Sequence, residues 1–386
     1  VNAAPLSILL LYDCVYPESV GGVQHRNLEI ARELGRRGHR VTIGGWTSHP
    51  RRLDDRVCVI SLPFVTPIYG SNGKRSVLAS VRYALACLTL PIRQYDVIET
   101  ANIPYIHLIP LALRCFLHRR TLIVTWHEFW GEYWPRYVSP PKAWLYAAIE
   151  RMVAHIGTRA VAVSRLTADR VQQQRRGSEE VARIPCGLDL NRIQAATAGV
   201  VRSRNRLIYA GRLAVDKRLP LLIRAMGILK QSDPSIRLAI VGVGPDLPDL
   251  EQLAVEAGVS DCLEFAGSLQ SADEVWREIA RARIAVTASA REGFGMFPLE
   301  AMACATPVVY CDSPDSALSE IIPVGRCGLM AEATPDSIAQ TIRRLLEDDC
   351  LWRQMSSNAT TDVKMYQWET IAEQTEKVLY AALRTC

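Results

Sequence analysis

Short apolar runs alternate with longer amphipathic ones along almost the whole chain, and they do so in two series. Runs at 6–12, 40–45, 57–61, 96–99, 121–125 and 160–163 predict strands, with helices near 22–37, 75–90, 104–117, 140–156 and 165–175. A polar stretch from Asn191 to Asn205 interrupts the pattern and predicts a linker. The alternation resumes with strands near 207–210, 237–241, 263–265, 284–287 and 307–310, and the segment from about Trp368 to Leu383 predicts a last helix. Strands apolar on both faces and separated by helices form parallel sheets covered on both sides. The chain is therefore α/β, with two doubly wound parallel-sheet domains, and its 386 residues suit about two to three domains. In such sheets, ligands bind beyond the C-terminal ends of the strands.

Composition narrows the function classes. An apolar share of 49% supports full cores, and no apolar run is long enough to span a bilayer. Leu6–Tyr12 could pass for a signal segment, but no basic residue precedes it and it runs into a glycine loop, which favours a buried first strand. Eleven cysteines are scattered without a Cys-x-x-Cys pair or zinc spacing, as expected for reduced thiols in a cytoplasmic protein. Residues 1–195 hold 25 Lys and Arg against 15 Asp and Glu, whereas the remainder is acidic. A basic first half suits an anionic acceptor or peripheral contact with the inner membrane face, and equally a solvated surface without a partner. No nucleic-acid-binding motif or concentrated basic stripe is present.

Chemistry concentrates at the predicted strand ends of the second half. Glu292 and Glu300 flank a turn containing Gly293 and Gly295, with seven residues between them. Such a turn brings backbone N–H groups close to an anion, and the helix from Met296 puts its positive end there. Carboxylates on either side can accept from vicinal hydroxyls, so the block suits a sugar carried on a diphosphate. Two solvated glutamates in a surface loop are the bland alternative. Upstream, the run Arg206–Ala210 ends in Gly211-Arg212, and Lys217 lies five residues beyond Arg212. Two cations at a strand end make a second anion site; a surface pair of Arg212 with Asp216 is the rival. Leu238–Val241 ends in Gly242-Val243-Gly244. No Asp-x-Asp pair offers ligands for a metal-bridged diphosphate.

Taken in order, these pieces resemble the retaining glycosyltransferases of family 4, which have the GT-B architecture of two Rossmann-like domains facing a central cleft. The resemblance runs through Gly21-Gly22-Val23, Arg37-Gly38-His39, Thr125-Trp126-His127-Glu128, Ile184-Pro185-Cys186-Gly187-Leu188-Asp189, Gly211-Arg212 with Lys217, Gly242-Val243-Gly244-Pro245 and the glutamate block. It departs from the family at Cys186, where Asn is usual, at Ala305, where Gly is usual, and at Ser316-Ala317 in place of a Gly pair. The last departure lies near the expected donor pocket.

The resemblance implies an acceptor domain over 1–195, a donor domain over 196–365, and a helix at 366–386 that crosses back to the first domain. It implies a nucleoside-diphosphate sugar as co-substrate, UDP favoured and GDP-mannose next, without a metal or other cofactor. Arg212, Lys217, Glu292 and His127 would form the catalytic set. Gly21, Gly22, Gly211, Gly242, Phe294, Gly295, Met296 and Glu300 would bind donor. The aromatic-rich stretch from Trp126 to Tyr137 would border the acceptor, with Trp126, Trp130, Tyr133 and Arg136 as contacts. The acceptor would be a hydroxyl on a lipid-linked or polysaccharide glycan, a cyclitol or a small natural product. A nucleotide-sugar epimerase or hydrolase on the same fold, and a catalytically silent nucleotide-sugar-binding subunit, remain open.

Overall fold

The computed structural model describes residues 4–18, 21–63, 68, 75–175 and 179–384. The chain divides into two units, Val1–Gly187 with Trp368–Cys386, and Leu188–Gln367.

The first unit is built on eight strands: β1 (Ser7–Cys14), β2 (Arg40–Trp46), β3 (Arg51–Arg52), β4 (Val57–Ser61), β5 (Val97–Ala101), β6 (Thr121–Trp126), β7 (Arg159–Ala162) and β8 (Ala182–Arg183). Their order is β3-β4-β2-β1-β5-β6-β7-β8, parallel throughout except at the β3 edge. Side chains alternate across the sheet. Leu9, Leu11, Ile98 and Val124 join one core with the helices Val77–Cys87, Leu108–Leu117 and Pro140–Val153. Ile8, Leu10, Val97 and Ile123 join the other with Gly22–Arg36 and Trp368–Leu383. Burial on both faces explains why β1 reads as a continuous apolar run.

The second unit holds β9 (Arg206–Ala210), β10 (Arg237–Val241), β11 (Leu263–Gly267), β12 (Ile284–Thr287), β13 (Arg291–Glu292), β14 (Val308–Cys311), β15 (Asp315–Ser316) and β16 (Gly328–Ala331). Six of them form a parallel sheet in the order β11-β10-β9-β12-β14-β16, and β13 pairs with β15 in a separate ribbon. In each unit the order reverses at one point, between β1 and β5 and between β9 and β12. A doubly wound sheet opens its ligand crevice at that reversal.

The first half of the expected linker is helical, and only 198–205 is turn and irregular chain. Residues 190–197 form the helix Leu190–Thr197, started by Asp189, whose side chain accepts from Arg192 N at 2.9 Å. Ile193 is buried, and Arg192 pairs with Asp273 at 2.9 Å. Polar surface residues on an amphipathic helix had the composition of a linker. The boundary falls instead between Gly187 and Leu188. A methyl group at 187 would lie 2.5 Å from the Trp368 ring, so that indole packs flat against the glycine.

The departures have local explanations. Ala317 has φ −85°, which any residue adopts, and Ser316 Oγ accepts from Leu318 N at 3.4 Å. Cys186 is buried, and burial pushes its thiol up to about 11, which keeps it unreactive. Ala305 is different. It takes φ +57° just beyond the helix Met296–Ala303, where glycine is favoured. Ala305→Gly should therefore raise stability by about 0.5–1 kcal/mol, the left-handed penalty less the extra chain entropy of glycine. A higher midpoint in chemical denaturation is the expected result; a lower one would refute the strain.

Candidate active site

The ends of β9 and β10 approach each other closely. Gly211 N donates to Val241 O at 2.9 Å, and Leu213 N donates to Val243 O at 3.0 Å. A methyl group at 242 would fall 2.0 Å from Gly211 O. One at 244 would fall 2.0 Å from Leu213 O. These glycines are thus explained by backbone approach before any ligand is considered. Beneath the turn, the Tyr209 hydroxyl donates to Arg212 O at 3.0 Å, and its ring meets Phe297 edge-on at 5.7 Å. The Arg212 side chain is exposed.

From β9 the chain runs through a short turn, Val215–Lys217. Ala290 N, just past β12, donates to Asp216 O at 2.7 Å and joins the two strand ends. This places Lys217 Nζ 2.6 Å from Glu292 Oε1, and 3.8 Å from Asp216 Oδ2. Both members of the Lys217–Glu292 pair are about one-fifth exposed, at 19% and 18%. Pairing of β13 with β15 holds Glu292 in place, and its carbonyl accepts from Ala317 N at 2.9 Å. The cation and carboxylate expected to serve one substrate therefore already touch at the reversal of the sheet.

Gly295 starts the next helix at φ +108°, and a methyl group there would lie 2.5 Å from Leu318 Cδ2. Phe294 is buried edge-on to Tyr366 at 6.0 Å, so its side chain serves the core and only its backbone can serve a ligand. Met296 opens the helix, where backbone N–H groups lack helical acceptors.

Glu300 lies one turn further and its Oε1 accepts from Trp276 Nε1 at 3.1 Å. Trp276 is buried, with the Arg192 guanidinium 5.4 Å from its ring. Burial pushes the Glu300 carboxyl from the ordinary 4.5 up to about 7, against the pull of the Trp276 hydrogen bond. The folded state thus holds this proton more tightly than the unfolded chain. The associated stability is full below pH 4.5 and is lost as the pH rises through about 7. Ionised Glu300 is the better acceptor for hydroxyls. Nucleotide affinity should therefore rise through about pH 7, and Glu300→Gln should remove that rise. Calorimetric titration of both proteins across this range is the check; identical profiles would exclude the carboxylate from binding.

The other expected residues belong to the first unit. Gly21 precedes the helix Gly22–Arg36, and its carbonyl accepts from His25 N at 3.0 Å. Gly22 is exposed. His127 follows β6, and its N–H donates to Asn102 Oδ1 at 3.2 Å. Burial and the Arg26 charge drive its imidazole down to about 3, so it is neutral at working pH.

Trp126 needs correction. It is 0% exposed within β6, packed with Tyr105 and Phe129 at 6.3 and 5.7 Å, and has no free face for a sugar. Trp130 stacks on Trp134 at 4.6 Å and remains half-buried, as does Tyr133. Arg136 is exposed, 5.7 Å from the Tyr133 ring.

Sequence reasoning missed two supports. Trp276 is one, because nothing local marks it as a partner of Glu300. Arg26 is the other. It is 1% exposed and pairs with Glu99 at 2.9 Å, and Glu99 also accepts from Thr125 Oγ1 at 2.7 Å. A cation one helical turn past Gly22, on the face that carries Ile30, was the available signal.

The family profile described as Glycosyltransferase Family 4 matches residues 20–192, and that described as Glycosyl transferases group 1 matches residues 194–362. An uncharacterised glycosyltransferase of Methanocaldococcus jannaschii is 34% identical over 187 residues, 48% of this chain and 47% of that protein. The chain thus spans about half the length of the first curated relatives it matches. The phosphatidyl-myo-inositol mannosyltransferase of Mycobacterium tuberculosis is 25% identical, with 95% of this chain and 94% of that one covered. Among solved structures, Anabaena HepE in complex with UDP and glucose superposes with a TM-score of 0.72 at 21% identity, covering 97% of this chain and 100% of that one. That likeness speaks for the fold, GT-B. With consecutive profile matches on consecutive sheet domains, the chain belongs to the group 1, family 4 glycosyltransferases.

Proposed function

We propose that this protein is a retaining glycosyltransferase that moves a hexosyl unit from a nucleoside-diphosphate sugar to an acceptor hydroxyl. The observation that carries the reading is the Lys217–Glu292 contact at the sheet reversal, 2.6 Å long, with Arg212 exposed five residues before Lys217. Arg212 and Lys217 neutralise the diphosphate, and do so most as the bond from the anomeric carbon to phosphate oxygen breaks. Glu292 accepts from hydroxyls of the transferred sugar. Glu300 accepts from the ribose. Backbone N–H groups of Phe294, Gly295 and Met296 face the donor from the helix start. The acceptor oxygen bonds to the anomeric carbon on the face the phosphate leaves, and that phosphate takes the acceptor's proton. No enzymic base and no metal is then needed.

UDP is the favoured nucleotide, as in the HepE complex with UDP and glucose. GDP-mannose comes next, in line with the mycobacterial mannosyltransferase. In the first unit, Gly21 and Gly22 leave a helix start clear of side chains, and neutral His127 can hydrogen-bond a sugar hydroxyl. Trp130, Tyr133 and Arg136 suit the acceptor: a lipid-linked or polysaccharide glycan, a cyclitol or a small natural product.

Thermal shift against UDP, GDP, ADP and TDP, with and without EDTA, is the test. Selective stabilisation by one diphosphate, unaffected by EDTA, is expected. Stabilisation by none would overturn the donor reading, and dependence on metal would overturn the metal-free mechanism. Turnover of donor sugar without acceptor would favour an epimerase or hydrolase.

A further inference from the structure

Three helices on one face of the first unit are apolar on both sides. Val77–Cys87, Leu108–Leu117 and Pro140–Val153 bury Tyr83, Leu111 and Val153 in one shared core. Their outward sides carry Leu85, Leu113, Phe116, Trp144 and Leu145 in water, with Phe116 81% and Trp144 72% exposed. On the second helix Leu113 and Phe116 stand three residues apart, on the stripe opposite Leu108, Leu111 and Cys115. The helices are neighbours on the sheet. Arg114 Nη1 donates to Cys87 O at 2.9 Å, joining the first to the second. The Tyr105 hydroxyl, just before the second, donates to Glu150 of the third at 2.6 Å. A helix apolar all round is ordinarily covered.

Charge says by what. The three helices carry Arg82, Arg114, Lys142 and Arg151 as their basic residues. Their one carboxylate, Glu150, is 0% exposed and accepts from Trp130 N, Gly131 N and Trp134 Nε1 at 2.7–3.0 Å. Arg119, two residues past the end of the second helix, is exposed. A second copy packed on this face by two-fold symmetry would set cation against cation. Exposed Trp, Phe and Leu fringed by Lys and Arg, with no exposed carboxylate on the helices, match an anionic lipid surface.

We propose that this face docks the protein on an anionic bilayer. The apolar side chains enter the acyl boundary, and Lys142, Arg151 and Arg119 meet the headgroups. The inference is independent of the donor chemistry read in the second unit.

Flotation of the full chain with vesicles tests it. Binding to phosphatidylcholine vesicles containing phosphatidylglycerol, little binding to phosphatidylcholine alone, and weakening by salt are expected. Phe116→Ser with Trp144→Ser should lower binding by about tenfold or more, as should Lys142→Glu with Arg151→Glu. All four positions are exposed, so unchanged melting temperatures are expected in both variants. Failure of the unaltered chain to float, or equal binding to neutral vesicles, would overturn the proposal. So would a dimer, seen by light scattering, that the Phe116 and Trp144 changes split while vesicle binding is absent. Nucleotide stabilisation without flotation would sink this proposal and leave the donor reading intact, and flotation without nucleotide stabilisation would do the reverse.

Discussion

Lys217→Ala should cut the rate of transfer by about 100- to 1,000-fold, equivalent to about 3–4 kcal/mol of barrier. The ammonium is held 2.6 Å from Glu292 in the free protein, ready to stabilise charge without reorganising. Its removal has a double effect. The leaving diphosphate loses a counter-charge, and Glu292 keeps a partly buried carboxylate with its nearest cation gone, close to where that diphosphate develops its charge. The loss should fall mainly on kcat, because the added charge belongs to the transition state. Arg212→Ala should lower the rate as well. Steady-state kinetics with saturating donor is the measurement, and a near-normal kcat for Lys217→Ala would remove this residue from the chemistry.

Gly242→Ala should cost about 2–4 kcal/mol of folding stability. The new methyl group would sit 2.0 Å from Gly211 O, at a residue with φ +135°. That oxygen belongs to a backbone bonded on both sides of the same close approach, so it cannot swing aside as a side-chain tip would. The family resemblance implies that Gly242 binds donor, and the substitution separates that role from a structural one. A structural glycine predicts a large fall in the denaturation midpoint of the ligand-free protein. Unchanged stability with weakened nucleotide binding would return it to the donor site.

Much of the fold was legible because its signals are local. Both alternating series could be read from short apolar runs bounded by glycine and polar residues, and β1, β6, β9 and β12 lie where those runs end in ligand-type residues. The two-residue strands β3, β8, β13 and β15 carry no periodicity of their own, and β16 opens on Gly328. They exist because a partner strand is already in place. Within 191–205, residues up to Thr197 are helical and misled because a helix exposing most of its surface has the composition of a linker; the rest is turn and irregular chain.

The site divides in the same way. Lys217, Glu292 and the glycine turn could be named from charge type and position along the chain. Their contact could not, since 75 residues separate the two side chains and only the β9–β12 neighbourhood joins them. Trp126 read as a sugar platform because an aromatic looks the same inside a sheet and beside a cleft.

By itself the sequence determined the α/β class, the strand ends where anions could bind, and the charged residues available there. Periodicity, glycine and charge act over a few residues and leave their mark in composition. The tertiary structure alone decided which charges meet, that burial raises the Glu300 carboxyl, that Arg26 is buried on Glu99, and that three apolar helices keep an exposed apolar side. Each of these depends on burial and on partners distant in the chain, and those arise only when the sheet brings separated segments together.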